Sequence, residues 1–503
     1  MKKLFYNAVF YNMEDSTTSY KAVLCENDKV TEVFPEIPII EDCEKVDLEG
    51  CVVFPGFIDA HTHSFEGGLY QQGAGLSQCE SISDIIQLLK QTEPVNGLIF
   101  AWKLDENKIK EKKLPHRVEL NNIFPKTPLL IRRVDGHTCV INDAAIELYL
   151  KNPQNQNTQF PKDGVCRGRL NDIIAHTFHK SLDSETILQC YKTAENIALK
   201  NGHTGLHTMI GDAQDDLLHF ELMLEKRKDY KIDFTLYPQV LNLKSVKDTY
   251  DKITPDLKNK KIGGCLLADG SFGSFTAAVS QSYLGQQDSY GTLYQSQKFW
   301  NKFISDAHLI DLQTAVHCIG DRAIAQIVDA IEFTQKVIKK DLRHALIHCE
   351  LLRDDLIKKM VKNNIYAIMQ PMFDAHWGGE DGFYAKVLGK ERLKYLNRIK
   401  TLIEHEIMVV GSSDWYITEL SALKGINAAI NHHNKNERIS NFEAVKLYTV
   451  NPPYLNHEEN IKGKIKKGYI ADFVCLDKDI LKINDITEAN VVKTIKNAEV
   501  VYG

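Results

Sequence analysis

The 503-residue sequence lacks the features that indicate a membrane or nucleic-acid-binding protein. No apolar run approaches the roughly 20 residues that cross a bilayer as a helix. Clustered positive charge is also missing, because acidic and basic residues are interspersed and the net charge is −6. A nucleic-acid groove or an anionic membrane surface would favour such clusters. We therefore expect neither nucleic acid nor a membrane among the partners of this chain.

A disulfide framework and a signal peptide are missing as well. The eleven cysteines are scattered and odd in number, which favours a reducing cytoplasm over an oxidising compartment. The apolar start of the chain is interrupted at Asn7, and no small-residue cleavage site follows. The sequence does contain 43% hydrophobic residues, which suits a large core or several domains. These observations predict a cytoplasmic location.

The two ends of the chain have the same character. Short β-prone runs separated by polar turns occupy residues 3–10, 20–25 and 29–34, and similar runs occupy 463–476 and 491–502. Valine-rich segments of this length are typical of strands. The pattern predicts one small β domain built from residues 1–52 and 455–503.

The middle of the chain, residues 53–454, alternates strand-like and helix-like segments. Helices are expected at 185–200, ending near Asn201-Gly202, at 322–339 with Asp321 as a cap, and at 354–362. Eight strands with intervening helices predict an α/β fold, the (β/α)8 TIM-like barrel. Residues 66–180 exceed a simple loop and predict an insertion after the first barrel strand. The expected strands are 52–61, 204–209, 233–240, 262–269, 312–317, 345–348, 365–370 and 407–411.

Candidate metal ligands follow the expected strands. In a strand through 57–63, His61 and His63 point to one face because side chains alternate. His317, His348 and Asp414 each stand where a later strand gives way to a loop, at the end that carries barrel active sites. A single histidine at such a place is more often a hydrogen-bonded core residue. Five such side chains at one end of successive strands predict a shared metal ion.

These residues carry a resemblance to a known family. The segments Pro55–Ser64 and 316–323 (Val-His-Cys-Ile-Gly-Asp-Arg-Ala), together with His348 and Gly-Ser-Ser-Asp ending at Asp414, resemble the amidohydrolase superfamily. Residues 463–473 are similar to its returning β-sandwich segment. Asp135-Gly136-His137 and residues 269–274 narrow the resemblance to the branch of N-substituted formamide deformylase, the amidohydrolase 3 type.

The resemblance implies a barrel with a β-sandwich domain and hydrolysis of a non-peptide carbon–nitrogen bond. It implies a divalent metal, expected to be Zn²⁺, as one or two ions. His61 and His63 would hold the more buried metal. His317 and His348 would hold a second metal, or one of them would polarise the substrate in a single-metal site. Asp414 would contact both metal and water, which makes Asp414 and His348 the expected catalytic residues.

One departure from the family concerns a metal ligand. Many relatives carry a carboxylated lysine on the fourth strand, where this chain has Cys265. Lys261 is four residues earlier, roughly 13 Å along a strand, and cannot replace it. A thiolate is a good zinc ligand, but free cysteine is commonly a small buried hydrophobe. Both roles remain open, and the second would favour a single-metal site.

The expected substrate-binding residues are Asp135, His137, Asp269 and Phe272. Asp-Gly is also a turn-forming pair, which gives Asp135 and Asp269 an alternative structural role. Phe272 has packing as its alternative. Val140 and Phe275 stand where relatives often have tryptophan and arginine, so substrate identity does not transfer directly.

Three functions compete at this stage. The first is hydrolysis of an amide or formamide of a small molecule by a metal-activated water, with Asp414 as general base and acid. The second is deamination of a heterocyclic amine by one metal, for which Glu350 is the nearest acid. The third is a catalytically inactive scaffold, which would be expected to lose the ligands that remain here. The resemblance leaves a homodimer as an open expectation.

Overall fold

The computed structural model describes residues 2–134, 136, 138–211, 217–286 and 288–503. The chain divides into two compact units, Met1–His63 with Glu195–Gly503, and Ser64–Ala194. Within the described residues, no helix has the length and apolar character needed to cross a membrane. The predicted domain boundaries are not tested by this division and stay predictions.

The unit Ser64–Ala194 contains a mixed five-stranded sheet with helices. Its parallel and antiparallel strands bury an apolar core that includes Ile85, Leu120 and Ile131. The helix Ser184–Lys200 contains the boundary with the other unit. The strands are Ala74–Gly75, Ile99–Leu104, Leu129–Arg133, Thr138–Ile141 and Val165–Arg167. The helices are Ser64–Gln72, Ile82–Lys90, Arg117–Ile123, Asp143–Leu150, Arg169–Lys180 and the 3₁₀ turn Pro153–Asn155.

Strands from both ends of the chain join in one eight-stranded sheet. Val52–Pro55 connects the two groups, since it pairs with Lys2–Tyr11 on one side and Phe473–Leu476 on the other. Alternating apolar side chains of these strands form a continuous core. The eight strands are Lys2–Tyr11, Ser19–Glu26, Lys29–Phe34, Glu44–Asp47, Val52–Pro55, Phe473–Leu476, Val491–Lys496 and Glu499–Tyr502. The termini thus share one β structure, whereas its closure into a sandwich stays a prediction.

Eight further strands of the larger unit form two parallel sheets, of three and five strands. The first sheet contains Phe57–Thr62, His203–Ile210 and Asp233–Pro238. The second contains Lys261–Leu267, Gln313–Cys318, Ala345–His348, Tyr366–Met369 and Val409–Gly411. We number these strands one to eight in chain order. Their inward side chains, such as Met209, Ala315 and Ile347, pack into one buried apolar cluster.

The helices of the larger unit lie between these strands and after the eighth strand along the chain, which confirms the α/β class. They are Leu218–Lys226, Leu243–Ile253, Gln297–Leu309, Asp321–Val337, Asp354–Lys362, Pro371–Trp377, Phe383–Leu388, Ile399–Glu404, Ala422–Ile430, Asn441–Tyr448 and Asn451–Leu455. Short 3₁₀ turns occupy Arg227–Asp229, Lys390–Tyr395, Lys435–Glu437 and Ile486–Glu488.

The strand predicted at 52–61 is wrong as a single element. It is broken at Gly56 into Val52–Pro55 and Phe57–Thr62, which belong to different sheets. A Cβ at Gly56 would come within 2.3 Å of Thr204 Cγ2, so only glycine allows this close approach. The predicted cap role of Asp321 is also wrong. Gly320 is the N-cap, and the Asp321 carboxylate instead accepts the Ser280 N–H at 2.8 Å.

Candidate metal centre

The candidate ligands lie at the carboxyl ends of the parallel strands. His61 and His317 are the next-to-last residues of the first and fifth strands. His348 is the last residue of the sixth strand. His63 and Asp414 follow the first and eighth strands, and backbone hydrogen bonds join the two segments that contain them. The Asp414 N–H donates to His61 O at 3.0 Å, and the His63 N–H donates to Trp415 O at 2.6 Å.

Six predicted ligand side chains converge in three overlapping groups. The groups are His61, His63 and Cys265; Cys265, His317 and His348; and His61, His348 and Asp414. Within each group the potential ligand atoms lie within 4.8 Å of one another. Cys265 belongs to two groups and therefore stands between the two histidine pairs.

Several buried atoms of this cluster lack the hydrogen bonds that buried polar groups normally make. Among the described residues, His61 Nδ1 and His317 Nδ1 have no hydrogen-bond partner. Asp414 Oδ1 lies 3.1 Å from His61 Nε2 and 3.3 Å from His63 Nε2, yet it is not satisfied by a hydrogen bond. Unpaired nitrogen and oxygen atoms close to one another and to a cysteine sulfur are the arrangement expected around a divalent cation. The residues present thus fit a metal ion.

Opposite charges dominate the electrostatics around Asp414. Burial by itself would raise the pKa of the Asp414 carboxyl, but the imidazoles of His61 and His63 hold it well below its usual range. Burial opposes protonation of His61, yet the Asp414 carboxylate raises the pKa of that imidazole to about 9. A cation in the centre would replace these protons, because metal ligands must be deprotonated.

A glycine pair explains how Cys265 reaches the cluster. Gly263 and Gly264 both have positive φ, at 98° and 90°, which only glycine adopts easily. The pairing of the fourth and fifth strands shifts register between Gly263 and Leu266, which is the mark of a β-bulge. A Cβ at Gly264 would come within 1.8 Å of Met209 Sδ. The bulge re-aims the side chain that follows it, and that side chain is Cys265.

The surroundings of Cys265 favour its thiolate. Burial would raise the pKa of the thiol, but hydrogen bonds from imidazoles, led by those of His317 and His348, lower it well below its ordinary value. A thiolate is the form of cysteine that binds metals. By contrast, Lys261 lies at the start of the same strand, where its ammonium donates to Gln313 Oε1 and Leu455 O. The described structure therefore keeps Lys261 out of the cluster, as expected.

Two supporting residues were missed by sequence reasoning. Gln370, which follows the seventh strand, lies with Oε1 2.7 Å from His348 Nδ1 and donates to Ser412 Oγ at 2.9 Å. This contact leaves His348 Nε2 to face the cluster. Asp59 Oδ1 accepts the main-chain N–H groups of His61 and Ser413, each at 3.1 Å. Asp59 shares a strand face with His61, which was the only sequence signal for its position.

Two ligand residues have unusual backbone conformations. His348 and Asp414 have φ values of 68° and 54°, in the left-handed region that non-glycine residues rarely enter. The following residue, Cys349, is there as well, at 50°. Such conformations cluster at functional sites, where the surrounding structure holds them. The first-strand histidines obtain their position from strand geometry instead.

The predicted substrate-binding residues have different outcomes. Asp269 is fully buried, and its carboxylate accepts the N–H groups of Ala278 and Gly320 at 2.8 Å and of Ile319 at 3.0 Å. Phe272 is buried in an apolar cluster against the ring of Tyr384. Both arrangements match the structural alternatives, and substrate contact by either residue stays a prediction. Asp135 and His137 lie outside the described residues.

Glu350 is a further acid beside the candidate metal ligands. It follows His348 by two residues and is only 2% exposed. Tyr384 O–H donates to Glu350 Oε2 at 2.5 Å. Burial raises the pKa of the Glu350 carboxyl to about 8. The site thus contains, besides Asp414, a buried carboxyl that can carry a proton near neutral pH.

Comparison with known proteins covers nearly the whole chain. The profile of the amidohydrolase family matches residues 44–502. YtcJ of Bacillus subtilis (strain 168) is 27% identical, with 100% of this chain and 99% of YtcJ covered. N-substituted formamide deformylase of Arthrobacter pascens is 22% identical, with 97% of this chain and 96% of that protein covered.

The fold has close counterparts among solved structures. A metal-dependent hydrolase from Pyrococcus horikoshii OT3 matches with a TM-score of 0.81 at 23% identity, covering 96% of this chain and 99% of that one. The likeness implies a TIM-like barrel for this chain. The family match includes the predicted barrel, residues 53–454, and the parts of the terminal β domain at 44–52 and 455–502. It confirms the resemblance inferred from the motifs. The chain belongs to the amidohydrolase family.

Proposed function

We propose that this protein is a metal-dependent hydrolase that cleaves a non-peptide carbon–nitrogen bond, an amide or a formamide, in a small molecule. The observation that carries the proposal is the convergence of six candidate ligand side chains, of which His61, His317 and Asp414 have buried atoms without a hydrogen-bond partner among the described residues. The name of a relative, N-substituted formamide deformylase, supports a formamide as the first substrate class to test.

The donor set supports zinc as the metal. His61, His63 and Asp414 would hold one ion, and His317 with His348 a second, with Cys265 between them. Zinc accepts mixed imidazole, thiolate and carboxylate ligands. When bound, such an ion brings the pKa of a water molecule close to 7 and polarises the substrate carbonyl.

Asp414 would move the proton in this reaction. Its carboxylate would stay ionised because positive groups surround it, namely the imidazoles of His61 and His63 in this structure and the cation in the metal-loaded protein. Oδ1 would accept a proton from the attacking water and then deliver it to the departing amine nitrogen. Amide hydrolysis requires this second step, because an amide nitrogen leaves only after it is protonated.

His348 would orient the carbonyl group of the substrate. Gln370 fixes its ring through Nδ1, so Nε2 keeps one direction toward the ligand cluster. Partners of this kind set the tautomer and the angle of a ligand histidine.

We further propose that the eight parallel strands close into a (β/α)8 barrel, and that the terminal sheet forms the β-sandwich.

The test combines metal analysis with a substrate panel. Purified protein should contain about one or two divalent ions per chain, and it should release formate from N-substituted formamides. Chelation should abolish turnover, and added zinc should restore it. Formate release that is unaffected by complete metal removal would contradict the proposal, as would an inactive, metal-loaded protein across formamides and other amides.

A second candidate is the deamination of a heterocyclic amine. Glu350 favours it, because this buried carboxyl lies beside His348 and is oriented by Tyr384. A deaminase needs such an acid to protonate a ring nitrogen. Release of ammonia from a panel of amino-heterocycles, with no formate from formamides, would favour this function over the first.

A further inference from the structure

A cavity of about 670 Å³ lies at the opposite end of the parallel strands from the metal centre. It is lined by Asp233 and Lys261, which are the first residues of the third and fourth strands. Cys265 is four residues beyond Lys261, so the cavity and the metal cluster are separated by most of a strand. The reaction proposed above makes no use of this cavity.

Lys261 places an amine that has no paired carboxylate in the wall of the cavity. The residue is 2% exposed, and Nζ donates to Gln313 Oε1 at 2.5 Å and to Leu455 O at 3.1 Å. Both acceptors are uncharged, and within the described part of the chain no carboxylate lies within 4.0 Å of Nζ. An ammonium has three N–H donors, which leaves one for another acceptor. Burial lowers the pKa of Lys261 to about 7, whereas the Glu458 carboxylate, which also lines the cavity, acts in the opposite direction without pairing with Nζ.

The neighbouring lysines are different, because carboxylates neutralise them. Lys462 Nζ and Lys496 Nζ each lie 3.0 Å from Asp233 Oδ2. Lys496 also pairs with Asp472 at 2.9 Å. Paired cations offer little to a further anion. Of these three lysines in the cavity wall, Lys261 is the one that has no carboxylate of the described residues within 4.0 Å and can therefore donate to a ligand.

Asn456 supplies a complementary acceptor in the same wall. Its Nδ2 donates to Thr235 Oγ1 at 2.9 Å and contacts His207 Nε2 at 3.2 Å. Its Oδ1 is buried and has no hydrogen-bond partner among the described residues. A buried amide oxygen without a donor costs free energy. The cavity thus presents one unused donor and one unused acceptor.

We propose that this cavity binds a small carboxylate that carries an adjacent hydroxyl or amino group. The carboxylate accepts the remaining N–H of Lys261, and the hydroxyl or amine donates to Asn456 Oδ1. Exposed Lys228 at the rim attracts the anion. The cavity is larger than such a ligand needs, and the volume leaves room for a side chain on it.

Binding can be measured by titration calorimetry on the metal-loaded protein with glycolate, glycine and acetate. Glycolate or glycine should bind in a saturable manner and about tenfold more tightly than acetate, which lacks the second group. Lys261→Met should weaken binding at least about tenfold. The matched control is Lys260→Met, because the neighbouring Lys260 pairs with Asp251 and does not line the cavity.

Three outcomes would overturn the proposal. They are an absence of saturable binding by wild type, an equal loss in Lys260→Met, and loss of binding in metal-free protein while Lys261→Met still binds. The last would place the anion on the metal. If Lys261→Met does not fold, Lys228→Glu serves, since this exposed change should weaken binding about two- to fivefold through charge alone. Unchanged affinity in Lys228→Glu would then count against the site.

Discussion

The fourth and fifth parallel strands have opposite chemistry at their two ends. At the amino ends, Lys261 donates to Gln313 Oε1, and both side chains donate to Leu455 O. At the carboxyl ends, four residues later in each strand, Cys265 and His317 present a thiolate and an unpaired ring nitrogen. One end thus offers electron pairs to a cation, and the other offers an N–H to an anion.

The difference between the two strand ends shows how a ligand site can be recognised in a structure that contains no ligand. Both ends bury polar side chains, which is unfavourable unless they find partners. At the amino end, main-chain carbonyls and amides supply most partners. At the carboxyl end, several buried nitrogens and oxygens find none among the described residues. Burial alone therefore does not identify a ligand site, whereas several unpaired buried atoms that converge on one point indicate one.

The largest expected effect sharpens the role of the carboxyl end. Asp414→Asn should lower kcat about 100- to 10,000-fold, because the amide cannot accept the proton from water. Metal content should stay close to that of wild type, since the histidines remain. Asp321→Asn is the control. Asp321 is a buried carboxylate outside the ligand cluster, and it accepts a hydrogen bond from the Ser280 N–H. Near-normal turnover in Asp414→Asn would refute the assigned role.

The next change tests whether the thiolate joins the two histidine pairs. Cys265→Ala should reduce the bound metal from two equivalents to one, measured by elemental analysis per chain. Cys318→Ala is a matched control, because Cys318 is a buried thiol next to His317 that faces Ile347 O at 3.8 Å. Equal metal content in wild type and Cys265→Ala would make Cys265 a packing residue.

A smaller effect is expected from the support of His348. Gln370→Met removes the contact to Nδ1 and should reduce metal affinity or turnover about 10- to 100-fold. Competition with a chromophoric chelator measures the affinity. Gln326→Met, a buried glutamine that donates to Gln295 O elsewhere in the unit, should leave affinity unchanged. A similar loss in both variants would point to general destabilisation.

The smallest effect on turnover should come from the amino end. Gln313→Met leaves Lys261 without its side-chain acceptor and should lower the free energy of unfolding by about 1–3 kcal/mol. Metal content and kcat should stay unchanged, as measured on the folded variant after urea unfolding establishes its stability. A loss of metal in Gln313→Met would show that the two ends of the strand are coupled and would break the comparison.

The sequence predicted both boundaries of the sixth strand, Ala345–His348, because the strand is a short apolar run that stops at a histidine. The same reasoning placed His317 and Asp414 beside the correct strand ends. It failed at residue 56, since the contact between Gly56 and Thr204 joins residues far apart in sequence. Periodicity reports local structure and contains no information about such a contact.

Within the candidate site, the ligands were predictable and their supports were not. One histidine, cysteine or aspartate at a strand end is ambiguous, but several of them at the same ends of successive strands indicate a shared site. Gln370 and Tyr384 are ordinary residues until folding brings them against His348 and Glu350. The glycine pair before Cys265 was a readable signal, since glycine inside a strand often marks a bulge.

That glycine pair has a practical consequence for protein engineering. Gly263 and Gly264 leave no space for a Cβ, with Ala315 O and Met209 Sδ within 2.2 and 1.8 Å of the positions it would occupy. A thiol grafted onto the matching position of another scaffold would miss its target unless both glycines were transplanted with it. Randomising the two codons under selection for zinc uptake should return glycine at both.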